Sequence, residues 1–401
     1  MLPLQGMLVV TLEHAIAAPF CTRQLADLGA RVIKVERPGE GDFARAYDTR
    51  TRGSASHFVW CNRGKESLTL DLKNPGARAV LQKLVERADV LVQNLAPGAA
   101  ARMGLDHASL APINPRIVVC DISGYGDGGP YTEKKAYDLL IQSESGFVSV
   151  TGTPEHPSKA GLSIADIAAG MYAYSSVLAA LLERGRTGRG QRLEISMLEA
   201  MSEWMGYPLY YTFEGQPPPV RAGASHAAIY PYGPFTCGDG KSVVLGVQHD
   251  REWTAFCDKV LLQPALAKQY LGNANRLAQK DKLFPIIDAV LSKLTAAQLI
   301  ERLEDAQIAN AQLNEMADLW NHPQLRARGR WAEIGTPGGP VPALYPPHHL
   351  SGDEPPPMGP VPALGQHTDA ILAELGCSAA DIARLRASAC RARGLSLKGR
   401  S

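Results

Sequence analysis

The sequence predicts an α/β protein with a large parallel-sheet domain and a smaller α+β domain. Three observations lead there. The chain opens on a strand–helix–strand pattern, and a similar unit follows it directly. Near residue 206 the composition then changes, and an aromatic, proline-rich stretch precedes a second region that is mainly helical. Strands that alternate with helices at this spacing form a parallel sheet covered on both faces, and ligands sit at the carboxyl ends of such strands.

Taken in order, residues 8–12 (LVVTL) are a short apolar run, residues 19–28 a helical pattern closed by Gly29, and residues 31–35 (RVIKV) a second strand ending at Glu36. The next unit reads as a strand over 68–72 (LTLDL), a helix from Pro75 to about Arg87, a strand over 90–94 (VLVQN) and another over 116–123 (RIVVCDIS) before the glycine-rich GYGDGGP. A long helix starts near Asp166. Residues 184–197 (RGRTGRGQRLEISM) form a basic turn leading into a strand, and a helix begins at Leu198. Residues 206–226 read as a linker. From near Tyr230 a hairpin turns at Gly238-Asp239-Gly240, and residues 252–317 are mainly helical with heavy use of Leu and Ala. Residues 336–362 carry ten prolines, too many for regular structure, so an extended arm leads to a final helical segment from Thr368.

Composition excludes several classes of function. Lys and Arg number 41 against 40 Asp and Glu, so no global field draws the protein to nucleic acid or to an anionic membrane, and any bound anion must be held locally. The seven cysteines are scattered, with no C-x-x-C pair and no zinc spacing, and read as reduced thiols; no metal site is expected. The N-terminus lacks a signal-peptide pattern and no run approaches the ~18 uninterrupted apolar residues of a membrane span, so a cytoplasmic protein without a membrane partner is expected.

The chemistry points first to residues 162–197, where a lone carboxylate opens a small-residue helix. Ser163 and Asp166 fit a capping-box pattern, which makes Asp166 a helix cap. The positive end of the helix dipole would also keep an Asp166 carboxylate ionised at neutral pH, which suits a nucleophile. The residues alone leave both readings open. A dinucleotide site, with Glu36 as the ribose-binding acid, is disfavoured because the turn after the first strand is EHAIAAPF and not G-x-G-x-x-G. There is no P-loop, H-E-x-x-H or G-x-S-x-G motif. His14, His57, His226 and His249 stand in loops or at element ends, where each reads as a surface or packing residue as readily as a base. Arg37, Lys73, Arg102 and Lys135 all lie beside expected strand ends or helix starts of the large domain, and together they could hold a nucleotide with several phosphates.

Several long blocks then carry a resemblance in a fixed order. They are LADLGARVIKVERPGEGD (25–42), NRGKESLTLDLK (62–73), VLVQNLAPGAAARMGL (90–105), ISGYG (122–126), AYDLLIQSESG (136–146), the Asp166 helix, GRTGRGQRLEISMLEA (185–200) and LGQHTDAILAELG (364–376). With these the chain resembles the class III CoA-transferases, the family of formyl-CoA and carnitine CoA-transferases. The resemblance implies an interlocked homodimer. Its Rossmann-like large domain would be built from both chain ends, residues 1–205 and 326–401, with a linker over 206–229 and a small domain over 230–325. It also implies that Asp166 is the nucleophile. No cofactor would be tightly bound, and coenzyme A would enter as the acyl-CoA substrate. By position, the CoA contacts would fall on Arg37, Leu70, Leu72, Lys73, Asn94, Arg102, Lys135 and Tyr137, with Ile16 and Ala17 beside the catalytic aspartate. Formyl-CoA transferase has a glutamine at the site matching Ile16 and a four-glycine loop in its small domain; this chain has GASHAAIYPYG (223–233) in that region, which disfavours formate or oxalate as its acid.

For the acceptor, Arg45, Arg50 and Arg52 offer cations for a second carboxylate, and His226 and Tyr230 could add hydrogen bonds. This pattern resembles the branch of the family that handles C4 to C6 dicarboxylic acids such as succinate, malate, itaconate, mesaconate, citramalate or glutarate, with succinyl-CoA as donor. Three alternatives remain: transfer within one diacid, an α-methylacyl-CoA racemase of the same fold using a His and Asp pair, and a CoA-binding protein without turnover.

Overall fold

The structure is a computed structural model that describes residues 2–348 and 358–396, the side chains of residues 388–396 excepted. It divides into two compact units, Met1–Gly146 with Ala160–Gly206 and Gly329–Ser401, and Phe147–Lys159 with Tyr207–Arg328.

The first unit begins with β1 (Leu8–Leu12), α1 (Ala17–Asp27), β2 (Arg31–Glu36), α2 (Ser56–Asn62) and β3 (Lys65–Thr69). It continues through α3 (Pro75–Glu86), β4 (Val90–Gln93), the short helices α4 (Ala99–Arg102) and α5 (His107–Leu110), β5 (Val118–Ser123) and α6 (Asp138–Glu144). After α7 (Phe147–Val150), which belongs to the second unit, come α8 (Ile164–Thr187), β6 (Arg192–Ser196) and α9 (Met197–Trp204). The six strands are parallel in the order β3-β2-β1-β4-β5-β6. That order makes the sheet doubly wound, and the strand order reverses between β1 and β4.

Alternation along the strands sorts the side chains. Val10, Leu12, Ile33, Val35, Leu68 and Leu70 face α3 and form one core with Leu81, Leu84, Leu91, Ile371 and Leu372. The opposite positions, Thr11, Lys34, Glu36, Lys65 and Ser67, are polar and equally buried. This explains a shift from expectation: β3 covers Lys65–Thr69 and not 68–72. Its register runs Val32 opposite Lys65 to Glu36 opposite Thr69, and its polar half is used by buried ion pairs that an apolar-run criterion passes over.

Local chemistry sets the helix ends. Asn74 caps α3 by accepting from the Gly76 N–H at 2.8 Å, with Pro75 at the first helical position. α8 ends on Gly188 at φ 73°, whose N–H bonds back to the Arg184 carbonyl. Arg184, in the basic turn, is an internal anchor: its guanidinium donates to the Asp89 and Arg116 carbonyls and pairs with the Asp89 carboxylate at 2.9 Å. By length and a mean hydropathy of 1.4, α8 would be long and apolar enough to cross a bilayer. Here it is the crossover between two parallel strands, and it buries Ala165, Ala168, Ala169, Gly170, Ala173 and Ala180.

The chain's return is partly regular, contrary to the reading of the proline-rich arm. β10 (Trp331–Ile334) and β11 (Val341–Leu344) pair antiparallel, and Pro342 is tolerated because the ribbon has only two strands and every strand is an edge. Residues 349–357 of that arm lie outside the described residues. The return is tied to the sheet. The His367 N–H donates to the Ser67 carbonyl at 3.0 Å, and the Thr69 N–H donates to Thr368 Oγ1 at 3.0 Å.

The second unit has a three-stranded antiparallel sheet of β7 (Tyr232–Thr236), β8 (Ser242–Gly246) and β9 (Ala309–Gln312). Helices over 250–305 pack on it around Trp253, Phe256, Leu283, Ile287 and Leu299. β9 falls within the run expected to be helical. The helix Ala296–Asp305 is stopped just before it by Gln307 at φ 56°, which turns the chain into the sheet. Six cysteines are free; the Cys390 side chain lies outside those described.

Candidate active site

The reversal of strand order opens a crevice at the carboxyl ends of β1 and β4, and the loop from Glu13 to Ile16 lines it. Asn94, just beyond β4, holds this loop at two points: its Oδ1 accepts from the His14 N–H and its Nδ2 donates to the His14 carbonyl, both at 2.9 Å. Ala15 takes φ 61°, an uncommon conformation for a residue with a Cβ, and its N–H donates to Asp42 Oδ1 at 3.1 Å. The chain then enters α1 at Ile16, which has no side-chain cap.

α1 packs directly on α8. A Cβ at Gly170 would lie 2.7 Å from the Ala17 carbonyl oxygen and 3.0 Å from the Phe20 ring, so only glycine permits this approach. Ile16 is buried with Phe20 and Cys61 against Ile167. Asp166 therefore stands in the first turn of α8, one turn before the closest contact with α1.

Asp166 is not a cap. Ser163 makes no side-chain capping bond, and the Asp166 carboxylate has no hydrogen bond or ion pair among the described residues. The cap comes from α6: Asp138 Oδ1 accepts from the Ala165 N–H at 2.9 Å and the Asp166 N–H at 3.3 Å, while its Oδ2 accepts from Gln142 Nε2 at 2.6 Å. This corrects the expectation that the helix dipole keeps Asp166 readily ionised. Burial, and then the like charge of Asp138, push the Asp166 carboxyl up to about 7. Near neutrality it is poised between its two forms.

Tyr47 stands on the same side. Its ring packs against Phe43 and His57 at centroid distances of 5.8 and 5.5 Å, and Phe43 stacks on His14 at 5.1 Å. Burial, with the Asp42 and Asp166 carboxylates, holds the Tyr47 phenol up at about 12, so it remains a hydrogen-bond donor.

Beneath the loop lies a network of buried charges that sequence reasoning missed. Lys65 Nζ contacts Glu13 Oε1 at 2.7 Å, the Pro19 carbonyl at 2.9 Å and Asn62 Oδ1 at 3.1 Å. Lys34 Nζ bridges Asp42 Oδ2 at 2.7 Å and Glu13 Oε1 at 3.3 Å. Glu13 Oε2 accepts from Thr11 and Thr22 at 2.8 and 2.7 Å. A lysine inside an apolar strand run was the only sign of it.

The residues expected to contact CoA separate into two groups. Arg37, Lys73 and Arg102 are exposed at the carboxyl edge of the sheet, after β2, β3 and β4, and Lys135 and Tyr137 are exposed just before α6. Among the described residues Arg37 pairs only with Glu40, at 3.1 Å. Leu70 lines a cavity of about 210 Å³ with Asp71, Leu364, Thr368 and Arg386, and Leu72 packs against the α3 core. By contrast Ile16, Ala17 and Asn94 are committed to the fold: the first two are buried at the α1–α8 contact, and the Asn94 amide is spent on His14.

The acceptor set also needs correction. Arg45 is not a free cation, because it grips Glu36 with two bonds of 2.8 Å and lies over the Phe58 ring at 3.8 Å. The same bonds remove Glu36 from any ribose-binding role. Tyr230 is 5% exposed in the core of the second unit, so it is a packing residue. His226, in that unit, stacks on Tyr232 and accepts from the Ala228 N–H at 3.0 Å. Arg50 and Arg52 are exposed, in a turn closed by the Thr51–Ser54 bridge, with no side-chain ion pair among the described residues.

Comparison with known proteins places this geometry in context. The profile of CoA-transferase family III matches residues 4–368. The succinate–glutarate CoA-transferase of Agrobacterium fabrum is 34% identical over 385 residues, which is 93% of this chain and 96% of that one. The acetyl-CoA:oxalate CoA-transferase of Acetobacter aceti is 35% identical over 346 residues, covering 84% and 88%. Other relatives are named as succinyl-CoA:mesaconate and succinyl-CoA–L-malate CoA-transferases. The crystal structure of a CAIB/BAIF family protein from Brucella suis superposes with a TM-score of 0.83 at 33% identity, covering 93% of this chain and 99% of that one.

Proposed function

The chain belongs to CoA-transferase family III and is a CoA-transferase, and from that premise we propose that it moves CoA from succinyl-CoA to a C4 to C6 dicarboxylic acid through a thioester on Asp166. The observation that carries the mechanism is the Asp166 carboxyl, unpartnered among the described residues and poised near neutrality at the α1–α8 contact. Asp166 attacks the acyl carbonyl and expels CoA thiolate, leaving a mixed anhydride. The thiolate attacks the aspartyl carbonyl, succinate departs, and the thioester bond is kept on the enzyme. The acceptor carboxylate then attacks the aspartyl thioester, the C–S bond breaks to expel CoA thiolate, and a second anhydride forms. Thiolate attack on its acceptor carbonyl releases the new acyl-CoA and restores Asp166. The close-packed small residues around Asp166 help keep water from both anhydrides. A racemase reading has less support, since no histidine lies within ion-pair distance of Asp166 among the described residues.

Intact-protein mass after brief mixing with succinyl-CoA tests this directly: one CoA-sized adduct is expected. Glutarate, itaconate, mesaconate, malate, citramalate and oxalate are then offered to discharge it. Oxalate is included because of the oxalate-named relative. Discharge by oxalate alone would refute the C4 to C6 assignment, and α-proton exchange without an adduct would refute the transfer mechanism.

The exposed Arg50 and Arg52 are the remaining cations for the acceptor's distal carboxylate. Replacing both by alanine should raise the acceptor KM about tenfold and leave the succinyl-CoA half-reaction intact. An unchanged acceptor KM would remove them from the site.

The pH dependence follows from the Asp166 environment. Only the ionised carboxylate attacks, so kcat/KM should rise with pH to a plateau above about 7. Asp138→Asn keeps an oxygen for the Ala165 and Asp166 N–H groups and removes the like charge. The acid limb should therefore move down while staying above the ordinary carboxylate range, because burial is the larger cause. A limb that does not move would rule out Asp138 as a cause.

As in the resemblance set out above, the active form is proposed to be an interlocked homodimer in the cytoplasm. Support comes from a run of exposed apolar side chains in the second unit, Tyr207, Leu209, Tyr210, Phe213 and Val220.

A further inference from the structure

We propose that Asp42 is a positioning residue of the active centre, fixing the backbone on two sides of Asp166 from within the buried charge network; this rests on the Asp166 chemistry proposed above.

Four ionised groups, Glu13, Lys34, Asp42 and Lys65, have fully buried side chains. Such clusters seldom improve stability over well-packed apolar residues, because each charge gives up its hydration. Their geometry here serves the backbone. Asp42 Oδ1 accepts from the Ala15 N–H at 3.1 Å and the Ala44 N–H at 2.9 Å, while Lys34 holds Oδ2 at 2.7 Å and so turns Oδ1 toward both donors. His14 Nδ1 stands 3.7 Å from the same Oδ1.

These two N–H groups lead to the two flanks of Asp166. Ala15 is the left-handed residue from which the chain enters α1, and two residues later the Ala17 carbonyl rests on Gly170 of α8. Ala44 belongs to the short turn of helix Phe43–Ala46, which Asp42 caps and after which Tyr47 follows at once. One carboxylate thus sets both the α1 entrance and the Tyr47 ring. A shift of either would displace groups around the nucleophile, and about 1 Å of misplacement is enough to cost roughly a hundredfold in rate.

The test compares Asp42→Ala, Asp42→Asn and a control, Asp27→Asn. Asp27 pairs with Arg63 and Arg23 at the far end of α1, equally buried but away from the loop. The rate constant and amplitude of CoA adduct formation, the succinyl-CoA KM and the melting temperature are read for each. Asp42→Ala should slow adduct formation at least about thirtyfold, with amplitude per folded subunit kept and KM within about twofold. Asp42→Asn keeps the acceptor oxygen and should recover part of the rate. Asp27→Asn should lower the melting temperature without changing the rate constant. The proposal is overturned if Asp42→Ala behaves like Asp27→Asn, or if Asp42→Asn is as slow as Asp42→Ala. Should Asp42→Ala fail to fold, Asp42→Asn decides: a slowing of about threefold or more is expected, and a wild-type rate overturns it. If wild type forms no adduct, the aspartyl-thioester reading fails separately, and the ratio of kcat values among the same variants still decides the role of Asp42.

Discussion

Asp166→Ala and Asp166→Asn are expected to abolish CoA transfer, with kcat reduced by at least about 10⁴-fold, and Asp166→Asn is expected to be more stable than wild type above pH 7. Neither side chain can form an anhydride. The nearest carboxylate, Asp138, is in no position to substitute, because its oxygens are held by the Ala165 and Asp166 N–H groups and by Gln142. The stability gain follows from the raised Asp166 carboxyl. Between the ordinary value of 3.8 and about 7 the folded state binds more protons than the unfolded chain, so stability falls as pH rises through that window, and the full cost is in place above it. Asparagine carries no such cost. With Asp166 only partly buried, the gain should be about 1–2 kcal/mol at pH 8 and vanish near pH 4. Chromatography of the CoA thioesters and melting curves at the two pH values measure both halves. Residual transfer above about 1% in Asp166→Ala would refute the nucleophile assignment, and a pH-independent stability difference would refute its electrostatic basis.

Asp166 also shows how far a sequence can be read. The patterns that placed it are periodic: apolar strands, a small-residue helix and glycine punctuation fix elements to within a few residues, and long ordered blocks identify the family. What the carboxylate does locally was not legible. Ser163 and Asp166 match a capping box by spacing, yet the cap arrives from Asp138, 28 residues earlier and on another helix. Spacing reports neighbours along the chain, whereas Asp138 and Asp166 are neighbours only in space. Arg45 and Tyr230 were misjudged for the same reason. A cation and a phenol in loop-like sequence suggested ligand contacts, and the fold gives the first to Glu36 and the second to a core. For Arg37, Lys73, Arg102 and Lys135 exposure beside the sheet is legible and a role is not, because topology sets the position of a residue after a strand or before a helix and not what it binds.

The buried network marks the other limit, and it carries the largest expected effect on stability. Glu13→Gln should cost about 3–5 kcal/mol, because it leaves the Lys65 ammonium buried at 0% exposure with neutral acceptors alone, the amide oxygen at position 13, the Pro19 carbonyl and Asn62, and no paired negative charge. Burial by itself would raise the Glu13 carboxyl; the Lys65 and Lys34 ammoniums outweigh it and hold it at about 2. Its contribution is therefore present above the ordinary value of 4.5 and is lost as pH falls from there toward 2, which predicts an acid-unfolding limb in wild type that Glu13→Gln lacks. Lys65 gives a slope of the same sign in a second, alkaline window. Burial lowers its ammonium to about 8 even with Glu13 beside it, so stability rises with pH between there and 10.5, where the unfolded chain binds the extra proton. Without Glu13 that window should extend further down, giving the variant a positive slope across neutral pH. Urea unfolding of Glu13→Gln, Lys65→Met and the double variant separates pairing from desolvation. If the pair is what matters, the double variant will be more stable than Glu13→Gln alone, since removing both charges leaves no stranded ammonium. A single-variant loss under about 1 kcal/mol, or a double variant with additive losses, would mean that the ammonium is solvated and the network is not the rigid base on which the Asp166 loop rests.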